Sequence, residues 1–286
     1  MIQYYQAVIL GLLQGFSELV PISSLGHSVV LPKVLGWNIQ QTDKFFLNFL
    51  VATHLATALV LLGFFRRDWM RIVKGLARSL RDREIKDYDH DARLGWLLVV
   101  GTIPAGLLGL LLEGSLRDLF KSAESAAAFL IANGFMLYGA ERLRRRPPRP
   151  GDWKGDSDAR IAKLSWRQAI AVGTAQAVAL VPGFSRSGAA MGGGLLVGLS
   201  NEDAARYSFL LATPIIGAAA VLKLPELVGK SGHVIGTAVV GAACAAVTAY
   251  LSVKFLLRYF ETNTLTPFAI YCVAAGTLLT IGFALS

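Results

Sequence analysis

Residues 14–27 read Gln14-Gly15-Phe16-Ser17-Glu18-Leu19-Val20-Pro21-Ile22-Ser23-Ser24-Leu25-Gly26-His27, in the middle of an otherwise apolar run from Met1 to Pro32. Glu18 is the only formal charge in that run. Proline lacks the N–H that continues a helix and pushes its predecessor out of the helical region, so one helix ends before Pro21. The serines just after it are N-cap residues, so a second helix starts there. Backbone that leaves the helix at membrane depth survives only where protein or a wet cavity satisfies its polar groups. Residues 2–36 therefore read as a re-entrant helix hairpin with a polar tip. A second stretch is built alike: between Gln168 and Asn201 the lone charge is Arg186, and the break is Pro182-Gly183-Phe184-Ser185-Arg186-Ser187-Gly188. It predicts a hairpin over 165–200.

The rest of the chain supports a bilayer as solvent. Of 286 residues 54% are hydrophobic and only 16% charged, with a mean hydropathy of +0.52, which excludes an ordinary water-soluble domain. Spanning helices are expected at about 45–65, 94–112, 122–141, 203–222, 233–257 and 264–285, each set against a hydrocarbon layer of about 30 Å. The apolar parts of the third and fourth, Ser125 to Ala140 and Tyr207 to Leu222, are short and need their terminal charged side chains to snorkel. The net charge of +9 resides in loops beside these runs, so it marks topology and not nucleic-acid binding. Cys244 and Cys272 lie in separate apolar runs and read as packing residues. The N-terminal run has no basic leader or small-residue cleavage site, so it is expected to belong to the mature fold.

The two halves echo each other. Gly11-Leu-Leu-Gln14 with Pro21 recurs as Gly173-Thr-Ala-Gln176 with Pro182, and Asn48-Phe-Leu-Val-Ala-Thr53 recurs as Ser208-Phe-Leu-Leu-Ala-Thr213. The predicted fold is an all-α integral membrane protein, an inverted-topology repeat in which each half is one re-entrant hairpin plus three transmembrane helices. Residues 1–141 form the first repeat, 142–164 a basic cytoplasmic linker, and 165–286 the second repeat. Lysines and arginines divide twenty-one to six between the two sides of this topology, which puts the long loops in the cytoplasm and both termini outside. The hairpins then enter from opposite sides and their tips meet near the midplane. Arg66 to Arg83 has the pattern of an amphipathic surface helix, with Trp69, Ile72, Val73, Leu76 and Leu80 on one face; a solvated loop is the alternative.

The chemistry concentrates at the two breaks. Gln14 and Glu18, spaced i,i+4, share one helix face. Ser23, Ser24 and His27 come at the start of the next helix, where free N–H groups suit a phosphate. Gly183, Ser185, Arg186, Ser187 and Gly188 make a glycine-flanked turn with two hydroxyls and a guanidinium, which suits one too. Each residue also has a plainer reading. Glu18 and Arg186 form a structural ion pair, the serines are caps, and His27 donates to a carbonyl. His54, within a spanning helix, reads as packing or a polar helix contact. Taken together, carboxylate, hydroxyls, imidazole and arginine converging at depth mark a functional cavity.

Residues 14–27 together with Pro182-Gly183-Phe184-Ser185-Arg186-Ser187-Gly188-Ala189 resemble the bacterial undecaprenyl-diphosphate phosphatase family, also called bacitracin-resistance proteins. The resemblance extends over nearly the whole chain, including Thr266-Pro-Phe-Ala-Ile-Tyr271. Two positions depart from its pattern. The first motif position, Glu or Gln in the family, is Gln14, which removes a second acidic ligand, and Ala190 stands where the family usually has Thr. The resemblance implies hydrolysis of undecaprenyl diphosphate to the monophosphate and inorganic phosphate in the bacterial inner (cytoplasmic) membrane. It also implies help from a divalent cation, Mg or Ca, for which Glu18 is the candidate ligand. The partners implied are the polyprenyl diphosphate lipid and the bilayer, with a homodimer as a candidate assembly. The catalytic set is then Glu18, Ser24, His27 and Arg186, and the substrate-binding set Gln14, Ser23, Gly183, Ser185, Ser187 and Gly188. Ser24 is the expected nucleophile, with water attack as the competing route. His27 takes its proton or gives one to the leaving group, and Glu18 orients His27 or binds the metal. The rival from another class is a secondary transporter or lipid flippase on the same inverted repeat. A passive anion channel is disfavoured, because one arginine facing one glutamate is a poor selectivity ring.

Overall fold

A computed structural model describes residues 2–39, 44–116, 122–144, 156–223 and 231–285. Most of the basic run Arg144 to Gly151 falls outside them, as do Arg117, Lys121 and Lys230 from the charge count. Among the described residues the helices are α1 (Tyr4–Leu19), α2 (Ser24–Val34), α3 (Lys44–Phe64), α4 (Arg66–Asp82), α5 (His90–Leu116) and α6 (Ala123–Leu143). They continue with α7 (Ser157–Ile161), α8 (Trp166–Gln176), α9 (Arg186–Val197), α10 (Asn201–Lys223), α11 (Gly232–Phe260) and α12 (Thr266–Leu285). No strand occurs among these residues. Among the described residues four helices are long and apolar enough to cross a membrane: Phe45–Phe64, His90–Leu112, Gly232–Phe260 and Thr266–Leu285. The chain is a multi-pass membrane protein. Its outward faces carry Leu59, Leu62, Leu107, Leu110, Leu251, Leu278 and Ile281, as a lipid-facing surface requires.

Both predicted breaks interrupt the helices. α1 stops where Val20 turns extended (φ −67°, ψ 136°) before Pro21, and α2 starts at the Ser23 cap. After α8 the chain tightens into a 3₁₀ turn, Ala177–Leu180, and α9 starts at the Ser185 cap. Lipid gives no hydrophobic drive between helices, so small residues that let backbones touch decide the packing. A Cβ on Gly11 of α1 would collide with the Gly241 carbonyl oxygen of α11, and one on Gly173 of α8 would collide with that of Gly101 of α5. α6 and α12 approach reciprocally, Gly134 against the Ala269 carbonyl and Gly276 against that of Ala127. α3 runs between α10 and α11, and the central core gathers Leu19, Leu61, Phe65, Leu97, Tyr207, Phe209 and Leu211.

The Arg66–Arg83 segment is helical but divides its apolar residues differently from the expected face. Ile72 is buried, with Leu76 and Trp69 half-buried, whereas Val73 and Leu80 are exposed. The buried side packs on α5, where a Cβ on Gly75 would come within 2.5 Å of the Ala92 nitrogen. α7 is fastened to the bundle by charge: buried Asp158 accepts from Arg71 and Arg206, and Arg160 donates to Asp203.

Candidate active site

Glu18 lies on the last turn of α1 and both its oxygens are in use. Arg186, the first residue of α9, donates from Nη2 to Oε1 at 2.8 Å. Ser24, the first residue of α2, donates from Oγ to Oε2 at 2.5 Å. The two breaks therefore meet on a single buried carboxylate. Their backbones also touch, since a Cβ on Gly26 would lie 3.0 Å from the Cα of Gly183. Gly183 has φ +107°, and an added Cβ there would meet Phe129 at 2.5 Å and the Ala126 carbonyl at 2.6 Å, so this turn requires glycine.

Gln14 stands one turn before Glu18 and donates to its Oε2 at 3.0 Å. Its amide nitrogen also lies 3.1 Å from Nε2 of His54 on α3, which is itself 3.3 Å from Glu18 Oε2. His54 Nδ1 is 2.7 Å from the Leu50 carbonyl oxygen. A carbonyl only accepts, so Nδ1 carries the hydrogen, and in the neutral ring Nε2 accepts from Gln14. The Gln14 amide thus spends its two hydrogens on two acceptors, the carboxylate and the imidazole. His54, read from sequence as packing or a helix contact, belongs to the site. Its one signal was polarity within an apolar helix.

The caps are alike at the two tips. Ser23 Oγ accepts from the Gly26 N–H at 3.2 Å, and Ser185 Oγ accepts from the Gly188 N–H at 3.1 Å. The Gly188 N–H is therefore occupied by the cap. At each helix start the first two N–H groups, of Ser24 and Leu25 and of Arg186 and Ser187, have no intrahelical acceptor. Ser187 Oγ is 3.0 Å from Ser185 Oγ and donates to the Val20 carbonyl at 3.4 Å, tying the second turn to the first. Ser23 adopts φ +71°, a strained region for a residue other than glycine.

His27 faces away from the carboxylate. Its Nδ1–H donates to the Ser23 carbonyl at 2.7 Å, and its Nε2 accepts from the Tyr271 hydroxyl of α12 at 2.8 Å, with the two rings stacked. The Ser24 proton thus points at Glu18 and not at His27, because the first turn of α2 directs Ser24 toward α1 and His27 toward α12. A further residue, Asn133 of α6, had no signal in the sequence beyond being polar in a helix, and it touches both breaks.

Two buried atoms in this cavity have no partner: Nη1 of Arg186 and Oε1 of Gln14. An unpaired guanidinium N–H and helix starts with free N–H groups are each suited to an anion with several oxygens. The donor set does not suit a resident divalent cation. Such ions take about six oxygen ligands, whereas Glu18 is one carboxylate already bonded to a guanidinium, and Gln14 Oε1 is the single spare oxygen beside it. Among the described residues no three of His, Cys, Asp and Glu cluster as a metal site would require.

The family profile described as Bacitracin resistance protein BacA matches residues 7–278. An undecaprenyl-diphosphatase of Mycolicibacterium paratuberculosis is 50% identical over 293 residues, covering 96% of this chain and 95% of that one. The undecaprenyl-diphosphatase 2 of Frankia alni is 42% identical, covering 99% and 98%, and that of Chromobacterium violaceum is 43% identical, covering 96% of each.

Proposed function

The chain belongs to the bacitracin resistance protein BacA family and hydrolyses undecaprenyl diphosphate to the monophosphate and inorganic phosphate; we propose that the bond is cut where α1, α2 and α9 meet. The observation that carries this reading is Glu18 shared between Ser24 and Arg186, with one guanidinium arm unspent.

Arg186 keeps Nη2 on Glu18 and offers Nη1 to the terminal phosphate, while the Ser24, Leu25, Arg186 and Ser187 N–H groups take up charge on its equatorial oxygens. Ser24 Oγ attacks phosphorus, its proton passes to Glu18 Oε2, and the bridging P–O bond breaks to release the lipid monophosphate. Water then attacks the phosphoserine, the P–Oγ bond breaks, and Glu18 returns the proton to Ser24. Gln14 holds the carboxylate for both steps and is itself held by His54. His27 keeps Ser23, and with it the start of α2, in its strained form. The apolar tail lies along the lipid-facing helices and supplies binding energy remote from the reaction. No step is assigned to a protein-held cation. Substrate-free protein passed over a chelating resin should carry far less than one equivalent of divalent metal by elemental analysis.

The same reading takes the chain as an inverted repeat, 1–141 and 165–286, with re-entrant hairpins, the 142–164 linker in the cytoplasm and both termini outside a bacterial cytoplasmic membrane. Matched contacts support it: Gly11 on Gly241 and Gly173 on Gly101, the reciprocal glycines of α6 and α12, and the paired serine caps. The test of the chemistry is phosphate release from undecaprenyl diphosphate in detergent, with acid quenching to trap phosphoserine. Ser24→Ala should lose release by roughly a thousandfold or more, on the scale of removing a nucleophile. Near-normal release would leave Ser24 a ligand and make water the attacker.

A further inference from the structure

Asn133 is fully buried on α6, a helix that contributes nothing else polar to the carboxylate cavity. Its Nδ2 donates to the Pro21 carbonyl at 3.1 Å and approaches Cys272 Sγ at 3.3 Å. Its Oδ1 accepts from the Ser185 backbone N–H at 2.9 Å. One rigid amide therefore bonds the backbone of both breaks, three residues before Ser24 on one side and one residue before Arg186 on the other.

These two bonds are of opposite sense, and the carboxamide makes them from two separate atoms, one a donor and the other an acceptor. A carbonyl must receive a hydrogen and an N–H must give one, so aspartate and leucine, similar in size, each fail at one or both ends. Asn133 spans two chain segments more than 160 residues apart in sequence; Ser187 to Val20 and Arg186 to Glu18 also tie them, but Asn133 is the side chain that grips the backbone on both sides. Phosphoryl transfer depends on the spatial separation of the two segments, because Ser24 must reach phosphorus in line while Arg186 holds the non-bridging oxygens of the same phosphoryl group.

We propose that Asn133 is a positioning residue that sets the distance between the Ser24 nucleophile and the Arg186 phosphate clamp. The inference rests on the roles given to those two residues above. It predicts that loosening the amide damages the grip on a phosphoryl transition state far more than the grip on the lipid.

The experiment compares wild type, Asn133→Asp and Asn133→Ala as full-length proteins in detergent, measuring kcat, KM for undecaprenyl diphosphate and Ki for orthovanadate and inorganic phosphate. An inhibition constant does not depend on the fraction of protein that is folded, so it separates positioning from simple loss of fold. Asn133→Asp keeps the acceptor for Ser185 and sets a carboxylate oxygen against the Pro21 carbonyl. Asn133→Ala removes both bonds without introducing charge, and it carries the test if the aspartate variant does not fold. The vanadate Ki should rise by roughly tenfold to a hundredfold, the scale of an ångström's misplacement, with KM changed by no more than about threefold. Vanadate and phosphate constants that stay at the wild-type value in both variants would overturn the proposal and leave Asn133 a structural bond. Arg186→Lys serves as the control: if vanadate still binds that variant normally, the failure lies with the phosphate role of Arg186 and not with Asn133.

Discussion

Ser23 and Ser185 do the same work at the two breaks, each capping a helix by accepting from a glycine N–H three residues on. The residues next to the caps differ in kind: Ser24 is a hydroxyl and Arg186 a cation, and both turn to the same carboxylate. The first break is backed by Gln14, Glu18 and His54. At the matching positions of the second half stand Gln176, Leu180 and Pro214. Gln176 keeps its amide but donates it to the Gly101 carbonyl, a helix contact with no part in the cavity. One backbone device thus occurs twice, once beside a carboxylate and a hydroxyl and once beside a guanidinium, which in the proposed reaction serve as acid, nucleophile and phosphate clamp. Neither break is a site alone.

The sharpest way to break that comparison is to move the acid across it. Glu18→Gln should reduce phosphate release by about a thousandfold or more, the upper range for losing a general base. Joining Glu18→Leu to Leu180→Glu should leave the protein inactive, because Arg186 and Pro214 stand where Ser24 and His54 serve Glu18. Recovered phosphate release in the double variant would mean that the two breaks are interchangeable.

Arg186→Lys tests the other side. It keeps the charge facing Glu18 and loses the fork that serves carboxylate and phosphate at once. Release should fall on the order of a hundredfold, the scale of a preorganised donor, with thermal stability near wild type. Normal release would return Arg186 to a purely structural ion pair.

A smaller effect separates the helices behind the breaks. His54→Asn keeps polarity but withdraws Nε2 from Gln14, and kcat should fall roughly tenfold, as for a weakened support of a base. Pro214→Ala, at the matching place on α10, should leave kcat unchanged. Equal losses at both positions would show that His54 acts only through packing.

The smallest expected difference lies in the caps. Ser23→Gly exchanges a capping bond for relief of a strained φ of +71°, so thermal stability should change by less than about 0.5 kcal/mol. Ser185 sits at φ −94° with no strain to relieve, and Ser185→Gly should cost a few tenths of a kcal/mol more in the same unfolding measurement. The reverse order would mean that the strain at Ser23 is not stored in its backbone.

The sequence by itself determined the solvent and the two breaks at which the polar residues gather. Apolar runs of spanning length can be satisfied only by helices in lipid, and a lone charge beside a Pro/Gly/Ser break has no cheap place there except a protected cavity. Glu18, Ser24 and Arg186 were legible for that reason, since their local context already violated the rule for their surroundings. His54 and Asn133 violated nothing locally, because a single polar residue inside a helix serves equally well as a helix contact. Only the tertiary structure decided them. Their partners lie 40 residues away in the case of Gln14 and 112 in the case of Pro21, and helical periodicity fixes which face a side chain occupies without fixing what that face meets. The direction of the Ser24 proton was decided in the same way. Spacing within α2 allowed His27 as its acceptor, and the packing of α1 and α12 on either side of that helix gave Ser24 to Glu18 and His27 to Tyr271.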